Sequence, residues 1–183
     1  PTVSINGQGV DETSGKDTIT VQSDEAGTVE IKDAAGLVIG TGTVAKDGSV
    51  TIELTRPLNN GEVVTAEVTD AADNVGTSAG LTADKTPPAL SLDPVGLTND
   101  VTPEITGTTE VGSTVNVVIA NAANVVVAQG EATVSADGSW SFVPTTGLVE
   151  GEYNVTATAT DAVGNESKPA SPVTISLDTT LST

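Results

Sequence analysis

The chain repeats itself, and that feature constrains its fold more than any other. When residues 1–86 are set against residues 87–183, the same landmarks recur in the same order. PTVSI from Pro1 is answered by PALSL from Pro88, and EAGTV from Glu25 by EVGSTV from Glu110. DGSVTI from Asp47 is answered by DGSWSF from Asp137, and VTAEVTDAADNVG from Val64 by VTATATDAVGN from Val155. LTADKTPP from Leu81 is answered by ISLDTT from Ile175. The spacing drifts between 85 and 94 residues, as small loop insertions in a common scaffold produce. Two domains of about 90 residues follow, 1–86 and 87–183.

Within each copy the apolar period is two. Val64, Ala66 and Val68 alternate with Thr65, Glu67 and Thr69; Tyr153, Val155, Ala157 and Ala159 alternate with Asn154, Thr156, Thr158 and Thr160. Such segments are half-buried antiparallel strands. Shorter alternations fall at Val3/Ile5, Ile19/Val21, Val29/Ile31 and Val50/Ile52/Leu54. The second copy has them at Leu90/Leu92, Val115/Val117/Ile119, Trp140/Phe142 and Val173/Ile175/Leu177. Asp47-Gly48, Asn60-Gly61 and Asp137-Gly138 supply turns between them. No stretch reads as an amphipathic helix. The expected fold is all-β: two tandem immunoglobulin-like sandwiches of about seven strands each, joined end to end by a short Pro-containing linker. The single Trp, Tyr and Phe all lie in the second copy, so the cores must be built from Val, Ile, Leu and Ala. Tyr153 stands where sandwiches often fasten a corner through a tyrosine hydroxyl; an ordinary core aromatic is the competing reading.

Charge and missing residue types narrow the function. There are 25 acidic against 6 basic residues, a formal charge of −19. Nucleic acid, which needs clustered Lys and Arg, is not an expected partner. No apolar run approaches the length of a membrane span, so membrane insertion is not expected either. The chain has no Cys and no His. It therefore lacks thiolate ligands, a thiol nucleophile and the usual imidazole base, and it is not expected to be an enzyme. It opens at Pro1 in mid-pattern without a signal peptide, as a piece of something longer would.

The acids gather in loops. In this topology the junction is expected to collect Asp84 from the linker with Glu110, Asp161 and Asn165 of the second domain, and Asp11 and Glu12 approach from the first. Two carboxylates about 4 Å apart repel by roughly 4 kcal/mol at an effective dielectric of 20, and a divalent cation reverses the sign of that interaction. Oxygen ligands without His or Cys favour Ca²⁺ over zinc or copper, and Mg²⁺ fits less well because it demands stricter octahedral geometry. Asp and Asn also populate turns for purely local hydrogen bonding, and that reading stands beside the cation.

The linker ADKTPPALSLDP, the terminal LDTT, the TNDVTPEITGT opening and the TDAVGNES loop resemble bacterial Ig-like (BIg) tandem repeats of large surface adhesins. These are the biofilm-associated proteins and the type I-secreted, RTX-type adhesins. The resemblance covers essentially the whole chain, twice. It implies an extracellular array on the bacterial surface whose partners are neighbouring repeats of the same chain, each segment otherwise a monomer. It also implies Ca²⁺ at the domain junctions, held at Asp84, Glu110, Asp161 and Asn165. Glu25, Asp70 and Asn74 occupy the corresponding positions in the first domain, where Asp73 is a further acid of the same loop, and Asp178 would serve a following one. The first domain's loop, DAADNVG, reads as carrying an extra residue. The function so implied is a structural extender that projects a distal adhesive domain for adhesion or biofilm formation. The alternatives are a glycan- or protein-binding module and an accessory spacer of a secreted hydrolase.

Overall fold

A computed structural model describes residues 1–180. The chain divides into two compact units, Pro1–Thr86 and Pro87–Thr183. Every regular element among the described residues is a strand, and no helix there is long and apolar enough to cross a membrane.

The first domain runs β1 (Val3–Val10), β2 (Asp17–Ser23), β3 (Gly27–Asp33), β4 (Val38–Val44), β5 (Gly48–Glu53), β6 (Val63–Thr69), β7 (Val75–Thr77) and β8 (Leu81–Thr82). One sheet has the order β1-β2-β5, and the facing sheet has β4-β3-β6-β7, with β8 also paired to β6. The inward residues are those the alternation marks. Ile19, Val21 and Ile52 of one sheet meet Val29, Ile31, Val64, Ala66 and Val68 of the other in a single buried cluster. Burying these β-branched chains is the main favourable contribution to folding here.

The second domain repeats the plan: β9 (Gly96–Thr98), β10 (Ile105–Thr108), β11 (Thr114–Asn121), β12 (Val126–Glu131), β13 (Thr133–Val134), β14 (Ser139–Phe142), β15 (Gly151–Thr160) and β16 (Val173–Leu177). Its sheets are β10-β14-β13 and β12-β11-β15-β16-β9. Val115, Val117, Ile119, Tyr153, Val155, Ala157 and Ile175 form the core with Trp140.

Seven strands are absent from the alternation reading; the longest are β4 and β12, the outer strands of the two large sheets. Inward stations are taken by glycine in each, Gly40 and Gly42 on β4 and Gly130 on β12. A Cβ on Gly40 would lie 2.9 Å from Leu54 Cδ2, and one on Gly42 would lie 3.1 Å from Ile52. In β4 the missing side chains let the edge close onto the opposite sheet, and in both strands the glycines erase the alternation. The first strand also differs between copies. β1 stays on β2 along its whole length, with an irregularity between Ile5 and Gly7. In the second domain the chain bridges Leu90 to Thr109, then crosses so that β9 pairs in parallel with β16.

The Tyr153 hydroxyl donates to the Val149 carbonyl at 2.6 Å. Of the two readings of Tyr153, the corner fastening is the one observed.

Candidate functional site

At the β6–β7 turn, Asp70 Oδ1 accepts from Ala72 N at 2.7 Å and Asn74 N at 2.9 Å, while its Oδ2 accepts from Asn74 Nδ2 at 2.8 Å. These donors, the Asn74 amide first, hold the Asp70 carboxyl below the usual carboxylate range. The corresponding turn after β15 is built the same way. Asp161 Oδ1 accepts from Val163 N and Asn165 N, and Oδ2 from Asn165 Nδ2 at 2.8 Å. The two turns have equal length, four residues from Asp to Asn, so the extra residue expected in DAADNVG is not there. Asp73 takes the place of Gly164: both are left-handed, at φ 62° and 91°. The inequality read from sequence is a substitution, because Asp is among the few non-glycine residues that tolerate this conformation.

The remaining candidates are also turn residues. Asp11 Oδ1 accepts from Thr13 N and Ser14 N, which lowers its pKa, chiefly through Ser14. Glu12 beside it is exposed. The Glu25 amide donates to Ser23 Oγ. Asp84 Oδ1 accepts from Thr86 N at 2.9 Å, and Asp178 Oδ1 accepts from Thr180 N at the same distance. The Thr180 donors hold the Asp178 carboxyl low. Glu110 is exposed on the turn before β11, where its carbonyl accepts from Ser113 N.

The structure thus brings together Asp70, Asp73 and Asn74 in one turn, Asp161 and Asn165 in another, and Asp11 with Glu12 in a third. Within either domain, among the described residues, no three acidic side chains converge closely enough to hold a metal. The chemistry of the donors nevertheless suits a hard cation. Ser113, 5% exposed, has a buried Oγ with no hydrogen-bond partner among the described residues. It sits one position before Thr114, which pairs with Thr160, the residue preceding Asp161. A hydroxyl oxygen, a carboxylate and an amide oxygen on adjoining stations are ligands of calcium's kind; carbonyls and water complete such shells.

A different constellation carries the linker. Gln8 pairs with the main chain of Asp84 in both directions: its Nε2 donates to Asp84 O at 2.8 Å, and Asp84 N donates to its Oε1 at 2.9 Å. Asn60 Oδ1 accepts from Lys85 N at 2.9 Å. The Lys85 ammonium lies 2.6 Å from Asp17 Oδ1, and Asp17 is 4% exposed. The second oxygen of Asp17 accepts from Leu58 N at 2.7 Å. Asp84, Lys85 and Thr86 are therefore part of the first domain's hydrogen-bonded body. Sequence reasoning missed this clamp, although a signal existed. Asp17 shares its strand face with Ile19 and Val21, and a carboxylate at an inward station needs a fixed partner.

Comparison with known proteins adds the following. A model of the bacterial Ig domain matches residues 7–85, and a model of the bacterial Ig-like domain matches residues 93–179. Among solved structures, a biofilm-associated protein BSP domain is 22% identical over 99% of this chain and 31% of its own, with a TM-score of 0.38. A tetra-tandem repeat in the extending region of a large adhesion protein is 28% identical over 97% of this chain and 49% of its own, with a TM-score of 0.41. The chicken CNTN1 FN1–FN3 domains are 15% identical over 97% of this chain and 68% of their own, with a TM-score of 0.50, a likeness of fold. The chain thus spans 31% of the first of these structures and 49% of the second. No curated protein matches the chain.

Proposed function

The chain belongs to the bacterial immunoglobulin-like domain family, one such domain in each half, and from that premise we propose that it is a stalk segment of a bacterial cell-surface adhesin. Its task in this reading is extracellular reach: neighbouring repeats of the same chain continue it, and a distal adhesive domain is projected for adhesion or biofilm formation. The observation that carries the reading is the clamped linker. A spacer must transmit position from one repeat to the next, and Gln8, Asn60 and Asp17 hold residues 84–86 against the first sandwich. Pro87 and Pro88 follow at once and restrict the chain further. The buried state of Trp140 and Tyr153 supports reach over glycan binding, since a sugar platform needs exposed rings.

Calcium at the domain junction is part of the proposal. Asp84 with Glu110, Asp161 and Asn165 would hold it, and Asp11 and Glu12 would add charge from the first domain. Glu25, Asp70, Asp73 and Asn74 would serve a preceding repeat, and Asp178 a following one. The ion would supply neutralisation of carboxylates that otherwise repel. The partner-less Ser113 oxygen next to the Asp161 turn supports this. Calorimetric melting with calcium and with EDTA tests it. A higher second-domain transition with calcium, lost in Asp161→Ala, is expected; superimposable melts would leave these residues with their turn roles alone.

A further inference from the structure

The two domains differ along one edge. Ile39 and Val127 are corresponding residues: each is the extra residue of a bulge, where β4 pairs with β3 and β12 with β11. Ile39 is 1% exposed. Thr55 closes over it, with N and Oγ1 both donating to the Ile39 carbonyl at 2.7 and 3.1 Å. Val127 is 41% exposed. Beside it runs a groove of about 520 Å³, lined by Val127, Ala128, Gly130, Phe142, Val143 and Thr145 among others. Thr145 corresponds to Thr55, each lying three residues beyond the residue paired to the isoleucine of the neighbouring strand (Phe142 to Ile105, Ile52 to Ile19). The seam that is closed in the first domain is open in the second.

The open seam has the properties of a strand-binding edge. β12 ends its sheet. Apolar side chains are exposed at its start and just before it, with Val125 57%, Val126 51% and Val127 41% exposed. Exposed apolar edges of this kind pair readily with an added strand. A second hollow of about 380 Å³ shares Val127 and continues to Val149, Glu150 and Glu152. The strip therefore sets Val127, Ala128, Phe142, Val143 and Val149 among Gln129, Ser141 and threonines, and is acidic at both ends, with Glu131 at one and Glu150 and Glu152 at the other. The whole second domain holds eleven acidic residues and one basic residue, Lys168. A second copy would bring its own acids against these.

We propose that the β12 edge of the second domain binds an extended segment of another protein, apolar at alternate positions and carrying Lys or Arg at its two ends. The segment adds to the sheet as a strand, covers Phe142 with its apolar side chains and sets its cations against Glu131 and the Glu150–Glu152 pair. Six residues of β12 accommodate about 20 Å of added strand. This binding needs no calcium and is independent of the stalk reading.

The test uses the intact two-domain chain, isotope-labelled for NMR, and two synthetic heptapeptides of alternating Val and Thr, one ended by Lys and one by Glu. The Lys-ended peptide is expected to perturb the amides of 126–131 and of Phe142 and to bind at least tenfold tighter than the Glu-ended one. Val127→Lys, at an exposed position, should abolish the perturbation while the spectrum stays folded. Glu131→Lys should narrow the preference between the peptides. Equal affinities, no perturbation of β12 at millimolar peptide, or perturbation that survives Val127→Lys would overturn the proposal. So would a concentration-dependent dimer seated on β12, which would identify a second copy as the occupant.

Discussion

The two domains solve the same structural problems with different residues. In the first, the rung between β2 and β5 pairs Val21 with Val50; in the second, the corresponding rung between β10 and β14 pairs Gly107 with Trp140. A Cβ on Gly107 would lie 2.6 Å from the Trp140 ring and 2.1 Å from the Ser91 carbonyl. The volume that two valines share is concentrated in one indole over a bare backbone. At the linker station, the buried carboxylate of Asp17 is paired with a half-buried Lys85, whereas the corresponding residues of the second domain are Pro103 and Thr179. Both members of the pair are exchanged together. The Asp84 amide is taken by the Gln8 side chain, while the Asp178 amide donates to the main-chain carbonyl of Thr98. At the corner before the sixth strand, Glu62 accepts from Asn59 N and is gripped by Arg56. Tyr153 reaches back there as a donor instead. The fold specifies stations that must be satisfied, and leaves open the chemistry that satisfies them.

The largest effects should come from breaking the volume exchange. Trp140→Val is expected to cost the second domain about 3 kcal/mol through the cavity it leaves. Gly107→Val should cost about as much through overpacking. Denaturant unfolding followed by Trp140 fluorescence for the glycine variant, and by amide NMR for both, should show the first domain unchanged.

The next effect sharpens the linker comparison. Lys85→Thr places the second domain's residue at the first domain's station and leaves Asp17 buried without its cation. A loss of about 2 kcal/mol in the first domain is expected. Asp17→Asn in the same background should restore part of it, since the amide keeps an acceptor for Leu58 N without a charge. Hydrogen exchange at Lys85 and Thr86 should quicken in Lys85→Thr alone.

Smaller effects test the corners. Tyr153→Phe should cost the second domain about 1 kcal/mol, the net worth of one hydrogen bond. The corresponding first-domain corner responds to acid. Arg56, then Asn59, hold the Glu62 carboxyl at about 2 against an ordinary 4.5. A depressed folded pKa means that the stabilisation is present above about 4.5 and is lost as pH falls from there towards about 2. Between pH 4.5 and 2 the first domain should therefore lose more stability than the second, where Asp137 and Asp178 are the carboxyls held low. Domain-resolved melting across that range checks the order.

Much of this architecture was legible in the sequence. Repetition and alternation marked Ile19, Val21, Val64, Ala66, Val68 and their counterparts as core, and all of these first-domain residues are at most 1% exposed. The outer strands were not legible, because Gly40, Gly42 and Gly130 replace the inward side chains on which the pattern depends. The acids were legible as loop residues, but their hydrogen bonds were not. An Asp that caps a turn and an Asp that awaits a cation share one spelling, and only the distances to Thr86 N, Asn74 N or Asn165 N show the first role. The clamp was hidden because Gln8 and Asn60 act through side-chain amides on a main chain dozens of residues away.

The stalk reading stands or falls with the stiffness of the pair. Small-angle scattering from the two-domain chain, in calcium and then in EDTA, measures this most directly. In calcium a long, narrow distribution of interatomic distances is expected, which shortens and broadens on chelation and does so further in Lys85→Thr. A distribution that is already broad in calcium and unchanged by either treatment would contradict a stiffened spacer.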